Sequence, residues 1–253
     1  MGMFQHKLVV RFAALAALSL TLVIVLREDN QGGLSKAQAP QQFQVQTPVI
    51  RADIQPDSPL AISAERQLDK TEQAPEVAYN VTNVTNKTIT AFAVKLEVSA
   101  DSKSVATVSL NNLEVVASSL PPNQSLNQFT TYDNFANAQH RVTLSVDFVQ
   151  FSDGTTWGRD SAKSAERVAG QRAGIDAVTS RVSNVVRGGK PNELAGVLDS
   201  ILTTEPATSG HSEAWNEGFR SARLSVANRF KRANSAGGLN KVNSELSRFA
   251  TKQ

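Results

Sequence analysis

Three hydrophobic patterns follow one another along this chain. From Leu8 to Leu26 the apolar residues are almost unbroken, with Arg11 near the start. From about residue 49 to 158 apolar and polar positions alternate in short runs. From about residue 160 onward apolar residues return every three or four positions. These are the signatures of a membrane helix, of strands and of amphipathic helices.

As a helix, Leu8 to Leu26 would extend about 28 Å, close to the roughly 30 Å hydrocarbon thickness of a bilayer. Residues 1–26 therefore read as an uncleaved single-pass anchor. The alternative is a cleaved signal peptide and a secreted product. It needs a small-x-small site soon after the apolar core. Arg27, Glu28, Asp29 and Asn30 suit that poorly, and Ala37-Gln38-Ala39 lies far downstream. His6, Lys7 and Arg11 flank the N-terminal end without an acid, whereas Arg27 faces Glu28 and Asp29. That asymmetry keeps the N-terminus cytoplasmic and places the bulk of the chain outside, in the periplasm or at the cell surface. Residues 27–48, rich in Gln, Gly, Ala and Pro, read as a flexible linker.

Residues 49–158 read as one β domain. Val77, Tyr79 and Val81 alternate with polar neighbours. Ile89, Ala91 and Ala93 alternate against Phe92, Val94, Leu96 and Val98, as in a strand covered on both faces. Val142, Leu144, Val146 and Phe148 form the cleanest period-two run. Shorter runs lie at Leu60–Ala64, Val105–Leu110, Leu113–Ala117 and Leu126–Thr131. Asn86-Lys87 and Asp153-Gly154 read as tight turns, the latter with I′ chemistry. Strands at this spacing predict an antiparallel, immunoglobulin-like β-sandwich.

Residues 159–253 read as a helical domain. A first helix, about Ser161 to Arg187, aligns Val168, Ile175, Val178, Val182 and Val185 and stops at Gly188-Gly189. A second, about Asn192 to Thr204, starts with an Asn cap and presents Leu194, Val197, Leu198, Ile201 and Leu202. A third, about Ser212 to Ala233, stacks Trp215, Phe219, Ala222, Val226 and Phe230 and ends at Gly237-Gly238. A short fourth carries Val242, Leu246 and Phe249. The fold class is thus α+β: an N-terminal transmembrane helix, the sandwich, then three to four amphipathic helices.

Charge sharpens the division. Residues 45–158 carry 7 Lys/Arg against 12 Asp/Glu, and residues 159–253 carry 15 against 9. An acidic domain joined to a basic one predicts mutual attraction or two different partners. Cysteine is absent, which excludes disulfides, thiolate chemistry and cysteine-ligated metals.

The most distinctive string runs from Asp147 to Gly158. Asp147, Asp153 and Trp157 are its candidate ligand-binding residues, because an indole stacks on sugar faces and carboxylates bind hydroxyls or calcium. The plainer reading is a strand, an Asp-Gly hairpin and a return strand whose Trp157 fills the core. Asp153 lacks the D-x-D-x-D spacing of a calcium loop.

The stretch FVQFSDGTTWGRDSAKSAERVAGQRAG resembles a segment of exported bacterial proteins of unassigned function. In those a sandwich ends in a DGT-x-W-G hairpin and runs straight into a helix with an AGQRAG-like patch. The resemblance spans residues 76–177, its specific part 147–174. It implies this architecture and brings no activity, cofactor or catalytic residue.

Ala169, Gly170, Ala173, Gly174 and Ala177 form a small-residue face opposite the valines. Such a face lets two helices approach closely, either within the chain or in a homodimer. Arg220, Arg223, Arg229, Lys231 and Arg232 do not form a single stripe. Glu213 and Glu217 open the same helix, an order that complements its dipole, so a solvated helix face is expected and nucleic acid is not. The three histidines, at 6, 140 and 211, have no metal-ligand spacing. No nucleophile elbow, zincin motif or phosphate loop occurs. No catalytic residue, metal or cofactor is therefore assigned. The sequons at Asn80, Asn83, Asn86 and Asn123 matter only in a glycosylating secretory pathway.

The expectation is a non-enzymatic, membrane-tethered extracytoplasmic protein that binds or scaffolds another protein. The alternative is a cell-envelope glycan-binding module or hydrolase using Asp147, Asp153 and Trp157. Two carboxylates in one cleft beside a solvent-open Trp157 would favour the second.

Overall fold

A computed structural model describes residues 49–68, 76–100, 103–131, 141–204 and 210–250. The expected anchor, the linker, His6 and His140 lie outside them. Among the described residues no helix is long and apolar enough to cross a membrane.

The fold is mixed α+β. The strands are β1 (Val49–Ala52), β2 (Leu60–Leu68), β3 (Glu76–Asn83), β4 (Ile89–Ala100), β5 (Lys103–Asn112), β6 (Ser125–Thr131), β7 (Arg141–Phe151) and β8 (Thr156–Gly158). The helices are α1 (Ser164–Arg187), α2 (Leu194–Thr203) and α3 (Glu213–Ala250). One sheet has the order β1-β7-β4-β5, with β8 also paired to β7, and the other has the order β2-β3-β6.

A shared core joins the two sheets. Tyr79 and Val81 from one meet Phe92, Val94, Leu96, Val142 and Leu144 from the other. Each fully buried apolar side chain of this size contributes about 1.5–3 kcal/mol. The other face of the larger sheet is covered too. Ala91, Ala93 and Phe148 pack against Val168 of α1. Small alanines on β4 let the helix lie close, while the large residues on the opposite face fill the sandwich. This is the two-sided burial that the alternation in β4 predicts.

Several expectations need correction. The sandwich is not wholly antiparallel, because β1 pairs parallel to β7, with Val49 opposite Arg141 and Ala52 opposite Leu144. Period-two alternation carries no information on strand direction, so the sequence pattern is silent on this point. Asn86-Lys87 is not a hairpin turn: β3 and β4 belong to different sheets, and the segment crosses between them. The buried Asn83 amide fixes this crossing. It donates to the carbonyls of Lys87 (2.8 Å) and Leu120 (2.9 Å) and accepts from the Thr85 amide (3.0 Å). Asn83 is fully buried, so it is no glycosylation site in the folded chain.

Leu113–Val116 is a 3-10 turn rather than a strand. The Asn112 side chain accepts from the Glu114 amide at 3.0 Å, and Ala117 closes the turn at φ 53°. The period-two run in β7 breaks at Asp147. Val146 pairs with Val94 and Phe148 with Ala93, so Asp147 is the extra residue of a bulge. Phe148 thereby turns to the helix side, while Val149 and Phe151 return to the sandwich core.

The helices follow the expected spans closely. Asn192 is no cap, however: α2 opens on a 3-10 turn, Pro191–Glu193, without a side-chain cap bond. The third and fourth helices, together spanning Glu213–Ala250, are separated where expected, at Gly237 and Gly238, whose backbone is non-helical. Ile175, Val178 and Val182 of α1 bury against Leu194 and Leu198 of α2 and Val226 and Phe230 of α3. The small-residue face meets α3 of the same chain. A side chain on Gly170 would collide with the Trp215 carbonyl, and one on Gly174 would lie 2.6 Å from the Phe219 carbonyl oxygen. Gly218 makes the reciprocal approach to Arg167. Its glycines are therefore not free to form the contact expected of a homodimer.

Candidate functional site

The hairpin that carries Asp147, Asp153 and Trp157 is built as a three-residue loop. The Gly154 amide donates to the Phe151 carbonyl (3.0 Å), and the Phe151 amide donates to the Thr155 carbonyl (2.9 Å). Only Gly154 takes a positive φ, at 82°, so the turn is not the expected I′ type.

Asp153 is exposed and spends both carboxylate oxygens inside the fold. Oδ1 accepts from the Thr155 amide (3.0 Å) and hydroxyl (2.6 Å). Oδ2 accepts from Lys87 Nζ at 2.8 Å. The Lys87 ammonium, followed by the Thr155 donors, holds this carboxyl well below the usual carboxylate range. The pair ties the hairpin to the crossing between the sheets.

Asp147 is buried. Its Oδ1 accepts from the Ser161 hydroxyl at 2.7 Å, and its carbonyl accepts from the Asp160 amide at 3.1 Å. Oδ2 is buried with no hydrogen-bond partner among the described residues. Gly158 passes so close that a side chain there would collide with the Asp147 carbonyl. Trp157 is half-buried against the sandwich core and lies opposite Val149. The four steps from Asp147 to the strand end at Phe151 cover about 13 Å at roughly 3.3 Å each, and Asp153 lies beyond it in the loop. The structure therefore does not bring the three candidates into one cleft.

The basic residues of α3 also have internal duties. Arg223 is buried and donates to the Thr204 carbonyl at 2.6 Å. Lys231 pairs with Asp199 of α2 at 2.7 Å. Arg229 pairs with Glu245 beyond the kink, and its guanidinium lies 5.3 Å from the Phe249 ring centroid. Arg220 and Arg232 are exposed. His211 stacks on Trp215, which stacks on Phe219, along the first turns of α3.

Sequence reasoning passed over two structural anchors. Asp160 caps α1: Oδ1 accepts from the Ser164 amide, and Oδ2 accepts from the Ala165 amide at 3.2 Å. An Asp just ahead of a periodic run is the signal that marks it. Arg172 docks α1 on the sheet, with Nε 2.7 Å from Glu114. It has no local signature, because Glu114 is distant in sequence.

A cleft of about 560 Å³ opens between β5, the turn that follows it, and β6. That volume falls within the usual range for ligand sites. Asn111, Asn112, Gln124, Gln128 and Gln171 supply amides, and Ser118, Ser119 and Ser125 supply hydroxyls. Leu113, Leu120 and Leu126 contribute apolar surface. Among the described residues, no charged and no aromatic residue lines it. The Asn112 amide donates to Gln171 Oε1 at 2.8 Å and joins this wall to α1.

No family model matches the chain, and no curated protein matches it. Part of the chain is similar to a Salmonella enterica trimeric lipoprotein, SadB, at 13% identity and a TM-score of 0.26. That match covers 35% of this chain and 50% of the other, so the chain spans about half the length of that protein. A Bordetella pertussis protein described as ApaA is similar at 15% identity and TM-score 0.27, over 44% of this chain and 89% of that one. Structural genomics target SoR45 is similar at 8% identity and TM-score 0.25, over 39% and 75%.

Proposed function

We propose that this chain is a membrane-tethered extracytoplasmic protein whose immunoglobulin-like sandwich binds or scaffolds another protein and performs no catalysis. In this reading Leu8 to Leu26 is the single-pass anchor, the N-terminus is cytoplasmic, and the strands and helices stand outside on the linker.

The observation that supports binding over chemistry is the commitment of the carboxylates. Asp153 is occupied by Lys87 and Thr155, and Asp147 is buried against Ser161. General acid–base work needs a group within hydrogen-bond reach of a reacting atom. These two acids face different parts of the fold. The glycan-binding or hydrolytic alternative needs both in one cleft beside an open Trp157, and the geometry does not favour it.

The test is protease added to intact spheroplasts carrying the full chain. The expected outcome is digestion of the sandwich and helices. Their protection, while a cytoplasmic marker is likewise protected, would overturn the location on which the proposal stands.

A further inference from the structure

We propose that the cleft between β5 and β6 receives a short, extended, uncharged segment of a partner protein, added as a strand against an open sheet edge. The inference rests on the binding reading above and names its site and the chemistry of its partner.

Among the described residues β5 ends one sheet and β6 ends the other, so each has one side unpaired. Strand edges are templates for further pairing, and proteins guard them with charges, proline or bulges. Here the guards are missing. Residues 103–112 carry a single charge, Lys103, at the far end, and residues 125–131 carry none. Neither strand contains proline. The β4–β5 and β3–β6 registers run without a shift, whereas β2–β3 and β4–β7 are interrupted.

An exposed apolar side chain points the same way. Val116, in the turn after β5, lines the cleft and is 57% exposed. A large apolar group left open in a groove marks an interaction surface.

The lining then selects the ligand. A charged segment would meet no countercharge in this cleft. A sugar would find amides and hydroxyls but no aromatic platform to stack on. An extended peptide suits both features: its backbone pairs with an edge, and its side chains meet amide, hydroxyl and aliphatic surface. The cleft is walled on both sides, by β5 with its turn and by β6. Ser125 to Gln128 covers about 10 Å, so some four residues of the partner would be held at roughly 3.3 Å each.

The experiment selects displayed random dodecapeptides on the purified chain, then measures a selected peptide by fluorescence anisotropy. We expect uncharged sequences with alternating apolar residues. Methylating alternate backbone amides of the peptide should weaken binding at least tenfold. Val116→Asp, at an exposed position that leaves thermal melting unchanged, should do the same. Failure to enrich any peptide, binding indifferent to both changes, or displacement by a neutral oligosaccharide would each overturn the proposal. So would burial of the cleft by self-association at micromolar concentration. A photo-crosslinking residue at Val116, compared in cells with one at exposed Leu224 on α3, separates the two levels of the argument. Crosslinks from Leu224 alone overturn the cleft and spare the binding reading; none from either overturns both.

Discussion

Between the two sheets the gap is filled by side chains: Tyr79, Phe92, Val94 and Leu144 are essentially fully buried and meet across it. Between α1 and α3 the gap is closed by their absence, because Gly170, Gly174 and Gly218 set backbone directly against backbone. The first seam is a transfer problem, whose stability scales with apolar area removed from water. The second is a steric problem, in which every added methyl has to displace a main chain. The same chain thus contains one region harmed by losing atoms and one harmed by gaining them. The two are coupled, because α1 also packs through Val168 on Ala91, Ala93 and Phe148 of the larger sheet.

The comparison breaks most visibly at Phe92. Phe92→Ala should destabilise the chain by about 4 kcal/mol, the range for emptying a large core site. Gly170→Ala should cost about 3 kcal/mol by overpacking. The control is Gly196→Ala in α2, where a methyl meets nothing and should stabilise by about 0.5–1 kcal/mol through helix propensity. Urea titrations give all three. The chain's two tryptophans report on separate layers, Trp157 beside β7 and Trp215 on α3. With Trp215→Phe or Trp157→Phe as background, both layers should melt at one midpoint, because they belong to one compact unit. Two separated midpoints would show that the sheet and helix seams hold independently.

These seams were unequally legible in the sequence. The alternation in β4 announced two covered faces, and the valine and small-residue faces of α1 announced close packing, although both meet α3. Both signals are periodic, and a period survives in a single sequence. Direction, sheet membership and bulges are not periodic. The parallel approach of β1 to β7 leaves no mark on the residues of β1. The crossing after Asn83 resembles a hairpin until the buried amide is seen reaching Leu120. The bulge at Asp147 put a carboxylate where a ligand residue was sought, and its role proved local: it receives Ser161 at the junction of sheet and helix. The cleft was the least legible feature. Its lining is Asn, Gln, Ser and Leu drawn from β5, β6, the turn after β5 and α1. None of these is conspicuous alone, and only the meeting of two sheet edges brings them together.

A smaller effect sharpens the contrast from the side of charge. Burial in the sandwich pushes the Tyr79 phenol up to about 12. The folded state therefore prefers the neutral phenol more strongly than the unfolded chain does. That contribution is fully present below the ordinary tyrosine value near 10 and is lost as pH climbs from about 10 through about 12. A shift of about two units corresponds to roughly 2–3 kcal/mol across that window. Lysines titrate over the same range, so the measurement is a difference between the natural chain and Tyr79→Phe. Urea midpoints taken from pH 9 to 12 should fall more steeply for the natural chain. Parallel curves would mean that the sandwich core already admits water at Tyr79. The side-chain-filled seam would then be the looser of the two, and the comparison would reverse.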